Sequence, residues 1–367
     1  MSLSAPGRPK RESFERQREG SPASAPGRPK RESFARRRED GPTGGPRVLI
    51  VKTSSMGDVV HALPLASDIR RRHPQATIDW LIEESFAAIP RLHAAIDRVI
   101  TVALRRWRRS PLSPRTWSEL RAARAALRER RYDAILDCQG LLKSAWMARW
   151  ADGPRWGPDR ASARELLASL LYTHTVAMPR GQHAIARNRA LGAAALATDT
   201  GLPPDFALAA PPLPLDGPAA VVPPYAVLLT NASRASKLWP DERWQAVAAH
   251  LHGRGLKLLL FAGSAQEEAA TRRRAAGMAG SQVAPRCGLD AVAKVLAGAR
   301  LVVGLDTGLS HLAAALGSPT LGIFCDYDPA LVGITGGAPC ASLGGVEVVP
   351  SAAEAVAAID RLLAASA

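Results

Sequence analysis

Arg47-Val48-Leu49-Ile50-Val51-Lys52-Thr53-Ser54-Ser55-Met56-Gly57-Asp58 begins as a short aliphatic run, passes through a loop containing Gly57, and leads into helical periodicity at Val59, Leu63, Ala66 and Ile69. A strand that feeds a helix through a short loop is the opening of a parallel α/β unit. Pro64 interrupts the helical pattern and implies either a kink or a later helix start. Further strands are expected over 77–82, 98–102 and 132–137, with intervening segments long enough for crossover helices.

Around 202–224 the composition turns to Pro and Ala without either period, so a linker is expected over 206–224. A second alternation follows, with strands at 225–230, 256–261, 300–305 and 320–324 and helices at 241–252, 266–276, 290–297 and 308–316. The expected fold is therefore α/β, with two Rossmann-like domains (47–205 and 225–349) whose parallel sheets face an interdomain cleft. A terminal helix over 352–365, within a closing segment 350–367, is compatible with packing on either lobe. In front of the first strand, SAPGRPKRESF at 4–14 recurs letter for letter at 24–34. That Pro, Gly, Ser and Arg content cannot bury enough apolar surface to offset ordering, so 1–46 reads as a disordered basic tail outside the fold.

The 367 residues are 47% hydrophobic, ample for two cores. The four cysteines form no CxxC pair, which excludes a disulfide framework or a zinc cage and points to a reducing compartment. No apolar run is long enough to span a bilayer and no signal peptide opens the chain, so a cytoplasmic protein is expected. The net charge of +15 is concentrated: 1–46 carries 11 Lys/Arg against 6 Asp/Glu, and 105–131 carries 10 Arg against 2 Glu.

Three loops at strand ends hold candidate chemistry. Asp58 follows the first strand, where a carboxylate base would meet a substrate, although helix capping is the commoner task of an Asp in that position. The segment has neither GxGxxG nor Walker A spacing, which removes a dinucleotide fold and a P-loop ATPase. Asp306-Thr307-Gly308-Leu309-Ser310-His311 opens a helix after another strand. Its N–H groups, the Thr307 hydroxyl and the helix dipole suit a phosphate, Asp306 could accept from sugar hydroxyls, and His311 shares the helix face of Thr307. A capped helix with a packed histidine is the plainer alternative. Leu312 stands where GxSxG needs its second Gly, so this is no serine-hydrolase elbow. Asn231 through Lys237 suits a diphosphate, with Ser233 among its polar groups and Lys237 offsetting leaving-group charge, and Glu267 is placed for a ribose hydroxyl.

Arg105-Arg106-Trp107-Arg108-Arg109 sits past a strand near the expected cleft and suits the carboxylates or phosphates of a polyanion, and an anionic lipid headgroup fits equally well on charge. No nucleic-acid motif accompanies it, so a nucleic-acid partner is not expected, and a non-catalytic polyanion binder would leave Asp58, Lys237 and Asp306 without a role. Asp326-Tyr327-Asp328 has the DxD form of a divalent-metal site, but Pro329 marks it as a turn, and no metal is expected there.

VLIVKTSSMGDVVHALP (48–64), RRWRR (105–109), DCQGLLKSA (137–145), ARELLASLLY (163–172), QHAIARNR (182–189), SKLWPDERW (236–244) and VGLDTGLSHLAAAL (303–316) closely resemble the lipopolysaccharide heptosyltransferase I group of glycosyltransferase family 9, over the span from about Arg47 to the C-terminus. The resemblance implies a GT-B enzyme that moves L-glycero-D-manno-heptose from ADP-heptose to the first Kdo of Kdo2-lipid A, with inversion, without an obligatory metal or other cofactor, and in peripheral contact with the cytoplasmic face of the inner membrane. By position it implies Asp58 as general base. Lys237, Thr307 and Gly308 would hold the diphosphate, Asp306 the heptose and Glu267 the ribose, with Asn231, Ser233 and His311 also on the donor side. Arg105, Arg106, Arg108, Lys143, Arg164, His183 and Arg187 would meet the acceptor. Ala232-Ser233 departs from the family's usual pair of threonines, leaving one hydroxyl for the donor.

Overall fold

The computed structural model describes residues 44–210 and 222–366. The duplicated segments, and 211–221 of the expected linker, lie outside the described residues.

Six strands form the first sheet: β1 (Arg47–Val51), β2 (Thr77–Glu83), β3 (Arg98–Val102), β4 (Ala134–Asp137), β5 (Arg155–Pro158) and β6 (His174–Val176). They are parallel and ordered β3-β2-β1-β4-β5-β6. The second sheet holds β7 (Tyr225–Leu229), β8 (Lys257–Leu260), β9 (Ser281–Val283), β10 (Leu301–Leu305), β11 (Thr320–Phe324) and β12 (Cys340–Gly344), ordered β12-β11-β10-β7-β8-β9 and again parallel. The strand order reverses between β1 and β4 in one sheet and between β7 and β10 in the other. Crevices of parallel α/β sheets open at such points, beyond the carboxyl ends of the strands. Asp58 follows β1, Lys143 follows β4, Asn231 to Lys237 follow β7 and Asp306 to His311 follow β10, so the topology alone gathers the candidate residues at the two crevices.

Parallel sheets are covered on both faces, which is why β1 is buried at every residue after Arg47. Val48 and Ile50 pack with Val59 and Leu63, whereas Leu49 and Val51 face Trp107, Leu127 and Trp150. The first of these clusters continues into Leu229 and Leu312 of the second lobe. Pro64 marks a second helix: Met56–Val60 ends at His61, and Leu63–Arg72 begins with Pro64 in its first turn, where a missing N–H costs nothing. The terminal helix Ala352–Ala365 packs on the second lobe through Ala355, Ile359 and Leu362, and His250 lies 2.8 Å from its Asp360. At the start of the Pro/Ala stretch, Phe206 is buried in the cluster that includes β1, and Ala207 O accepts from Ala94 N at 3.1 Å.

Four short strands escape the sequence pattern. β5 reads Arg-Trp-Gly-Pro, β6 and β9 have three residues each, and β12 is Cys-Ala-Ser-Leu-Gly. None is long enough, or apolar enough, to announce a period.

Candidate active site

Asp58 is the fourth residue after Ser54 and sits in the first turn of Met56–Val60, not at its cap. Its two oxygens divide the work. Oδ2 accepts from the Ser55 amide (3.2 Å) and hydroxyl (2.9 Å), while Oδ1 faces Arg164 Nη2 at 3.1 Å and Lys52 Nζ at 3.8 Å. One oxygen thus closes a capping box with Ser55, and the other faces two cations. Burial works to raise the carboxyl's pKa, but Lys52, Arg164 and the Ser55 hydrogen bonds outweigh it and hold Asp58 well below the usual carboxylate range. Lys52 itself is buried, which lowers its pKa, and its ammonium donates to Cys138 O at 2.8 Å.

Asp58 lines a cleft of about 600 Å³ together with Asn231, Ser233, Lys237, Glu267, Asp306, Thr307, Gly308 and His311, so all eight donor-side candidates share one cavity with the candidate base. Arg164 also lines it. The lobes approach closely at its floor. A Cβ on Gly57 would lie 3.2 Å from His311 Cδ2, and one on Gly308 would lie 2.5 Å from Met56 Cβ, so this contact requires glycine at 308.

Lys237 pairs with Asp306, and its ammonium lies 5.9 Å from the Tyr327 ring centre. Burial raises the Asp306 pKa, but hydrogen bonds from His311 and Lys237 prevail and leave it lowered. Thr307 stands at the N-cap position of the helix Gly308–Ala315 without a side-chain cap bond, which leaves that helix's first amides free where Thr307, Gly308 and Leu309 line the cleft. Glu267 Oε2 accepts from Gly263 N at 2.8 Å. The Asn231 amide donates to Phe261 O (3.0 Å) and Thr271 Oγ1 (2.8 Å), so its NH2 serves the loop and its carbonyl remains for a ligand. Phe261, Leu289 and Val292 form an apolar stretch of the wall.

The acceptor-side candidates separate. Arg187 lies near Arg164, Arg180 and Asp58; burial and the two arginines lower its pKa, and its buried Nε has no hydrogen-bond partner among the described residues. Three guanidiniums around one carboxylate leave an excess of positive charge there. Lys143 is exposed on the helix Leu142–Ala148. His183 caps the helix Ala184–Leu196: its Nδ1 accepts from Ile185 N at 3.2 Å, so its Nε2–H donates to Gly333 O of the other lobe at 3.2 Å. Arg106 is occupied elsewhere. Its guanidinium meets Glu84 and Glu119, each at 2.8 Å, beside a separate cavity along β3 that includes Trp107. Two acids 22 residues before it and 13 after it neutralise a side chain that charge density alone assigns to a ligand. Arg105 lies 5.5 Å from the Phe86 ring centre, and Arg108 is exposed without a side-chain bond among the described residues.

Lys52, His61 and Arg180 carry no local sequence mark of a place at the site. Lys52 reads as the end of a strand and His61 as part of an apolar helix; only the resemblance carried by the KTSSMGD stretch points to the lysine. Asp328 caps Pro329–Val332, and Asp326 accepts from Ser236 at 2.6 Å, so both DxD carboxylates have protein partners. Among the described residues no group of three metal-ligating side chains is gathered.

The family model described as glycosyltransferase family 9 (heptosyltransferase) matches residues 120–342. Lipopolysaccharide heptosyltransferase 1 of Escherichia coli K12 is 44% identical over 292 residues, covering 78% of this chain and 90% of the relative. The Pseudomonas aeruginosa protein of the same name is 45% identical over 294 residues, covering 79% and 81%. The solved E. coli heptosyltransferase WaaC with ADP superposes with a TM-score of 0.77 at 41% identity, covering 86% of this chain and 99% of that one. With two parallel sheets and a cleft between their switch points, this is the GT-B architecture, and the chain belongs to glycosyltransferase family 9, the heptosyltransferases.

Proposed function

We propose that this protein transfers L-glycero-D-manno-heptose from ADP-heptose to the first Kdo of Kdo2-lipid A, in one inverting displacement and with no obligatory metal. The observation that carries the reading is the single cleft in which Asp58 faces the loops holding Lys237, Asp306, Thr307 and Gly308. Lys237, Ser233 and the amides at Thr307–Gly308 hold the diphosphate and stabilise it as it departs; Asp306, held by His311, takes heptose hydroxyls; Glu267 and the Asn231 carbonyl take the adenosine. Asp58 removes the proton of the acceptor hydroxyl. The 2-fluoro ADP-heptose analogue found with a 39% identical E. coli relative supports an ADP-sugar donor.

The excess positive charge of Arg164, Arg180 and Arg187 over Asp58 suits the acceptor's carboxylates and phosphates, with Lys143, Arg105 and Arg108 farther out. His183 and Arg106 contribute through lobe contact and loop support. An acceptor carboxylate that draws Arg164 away from Asp58 leaves a more basic Asp58 beside the hydroxyl to be deprotonated.

In the free enzyme Asp58 is ionised at all pH values above its lowered pKa, so it produces no acid limb in kcat/KM near neutrality. Its stabilising contribution is complete above the unfolded carboxyl's pKa and is lost as pH falls through the native value. Arg164→Gln is expected to move the acid limb upward and to raise the acceptor KM more than the donor KM. An unmoved limb in the pH–rate profile would separate Arg164 from the base.

The reading includes a cytoplasmic protein in peripheral contact with the membrane that carries the acceptor. Leu142, Trp146, Leu166, Leu167 and Leu170 are exposed on two elements packed through Ala145 and Ala168, with Lys143, Arg149 and Arg164 beside them. Among the described residues no helix is long and apolar enough to cross a membrane. Leu167→Asp with Leu170→Asp is expected to weaken co-sedimentation with phosphatidylglycerol-containing vesicles several-fold while sparing turnover on an acceptor without acyl chains; unchanged sedimentation would remove this surface.

A coupled ADP-release assay tests the function. Turnover is expected with ADP-heptose and Kdo2-lipid A. Turnover only with an already heptosylated acceptor would assign the chain to the second heptose transfer instead.

A further inference from the structure

His61 is 3% exposed, lies three residues after Asp58, and has no part in the chemistry above. Its Nε2 stands 3.2 Å from Nδ1 of His311 on the opposite lobe, the rings meeting edge-on with centres 4.5 Å apart. On its other side, His311 Nε2 is 3.4 Å from Asp306 Oδ1. The protons in this chain can be assigned in order. An ionised carboxylate only accepts, so with one proton per ring His311 carries its proton on Nε2 and offers Nδ1 as an acceptor, and His61 donates from Nε2. The remaining nitrogen, His61 Nδ1, is buried with a bare lone pair and no partner among the described residues.

That orphan makes histidine a poor choice for packing alone. A buried polar atom without a partner is unfavourable, and an aliphatic side chain would fill the same space without one. What histidine supplies that leucine cannot is one donor aimed across the lobes. The backbone of His61 is fixed to receive it: its N–H donates to Gly57 O at 2.9 Å, and its carbonyl accepts from Asn188 Nδ2 at 3.0 Å. The path Asp58 helix, His61, His311, Asp306, Lys237 therefore links the base of one lobe to the donor grip of the other through consecutive polar contacts.

We propose that His61 is a positioning residue: its hydrogen bond to His311 holds the helix carrying Asp58 in register with the helix opened by Thr307–Gly308, so that base and donor carbon are aligned when the cleft is filled. This role rests on the transferase reading above. A helix that drifts by an ångström retains both binding sites and loses alignment, a displacement that can cost about 100-fold in rate.

The test compares His61→Leu with His61→Gln, whose side-chain amide reaches about as far as histidine Nε2 and donates in its place. For His61→Leu the expected result is a kcat lowered about 10- to 100-fold, with the KM of both substrates and the affinity for ADP nearly unchanged and the melting temperature undiminished. His61→Gln is expected to recover most of the lost kcat. A His61→Leu enzyme with full kcat, a Gln variant as slow as the Leu variant, or a loss that appears wholly in KM or in the melting temperature would each overturn the positioning role. No transfer by the unaltered protein would overturn the transferase reading and this role with it, an outcome distinct from an active enzyme indifferent to His61.

Discussion

Asp58→Ala is expected to lower kcat by about 10²- to 10⁴-fold, the range typical of removing a general base, while ADP binds as tightly as before. The separation follows from placement. Asp58 stands on the β1 side of the cleft, and its partners Ser55, Lys52 and Arg164 all belong to the first lobe, whereas the donor groups follow β7 and β10. Deleting the carboxylate also leaves Lys52 buried beside Cys138 O with its nearest counter-charge gone. The Asp58→Asn variant removes the same counter-charge but keeps the shape, so the pair separates the loss of the carboxylate's charge from the loss of its volume. Steady-state kinetics with calorimetric ADP titration checks both halves; full turnover by either variant would remove Asp58 as base.

Lys237→Ala is expected to act on the other half, lowering kcat/KM for the donor by about 10²- to 10³-fold, as removal of a group that stabilises developing charge does, and weakening ADP in parallel. Lys237 is bonded to Asp306 before any ligand arrives, so the donor diphosphate competes for an ammonium already in place. Its removal leaves Asp306 with His311 as its remaining side-chain partner at 3.4 Å, and a lower melting temperature is expected too. Because the loss should appear in ADP affinity, a Lys237→Ala protein that binds ADP normally would move the leaving-group role elsewhere.

The parts of this molecule legible in its sequence are those where one local pattern suffices. β1 and β10 end where their aliphatic runs meet Lys52 and Asp306, and the loops at the β1, β7 and β10 ends carry their polar residues within a few positions of one another. What escaped depends on partners distant in the chain. Arg106 stands in a dense arginine run, yet Glu84 and Glu119 occupy it, so charge count gave the wrong environment. His183 resembles a ligand-binding histidine, but the folded chain uses both its nitrogens, one on Ile185 and one on Gly333. His61 looks apolar by its neighbours Val60 and Ala62, and only the approach of the second lobe reveals its donor. The edge strands β6, β9 and β12 are held by pairing with a formed sheet more than by their own composition.

With Asp58 acting as base on the acceptor hydroxyl, the acceptor oxygen itself attacks the anomeric carbon from the face opposite the departing diphosphate in a single displacement; a double displacement would use a carboxylate as the nucleophile on that face and bring the acceptor in from the diphosphate side. The anomeric configuration of the transferred heptose, read by proton NMR of the product from ADP-heptose and Kdo2-lipid A, tests this most directly. The account predicts the configuration opposite to that of the donor; a product with the donor's configuration would contradict it.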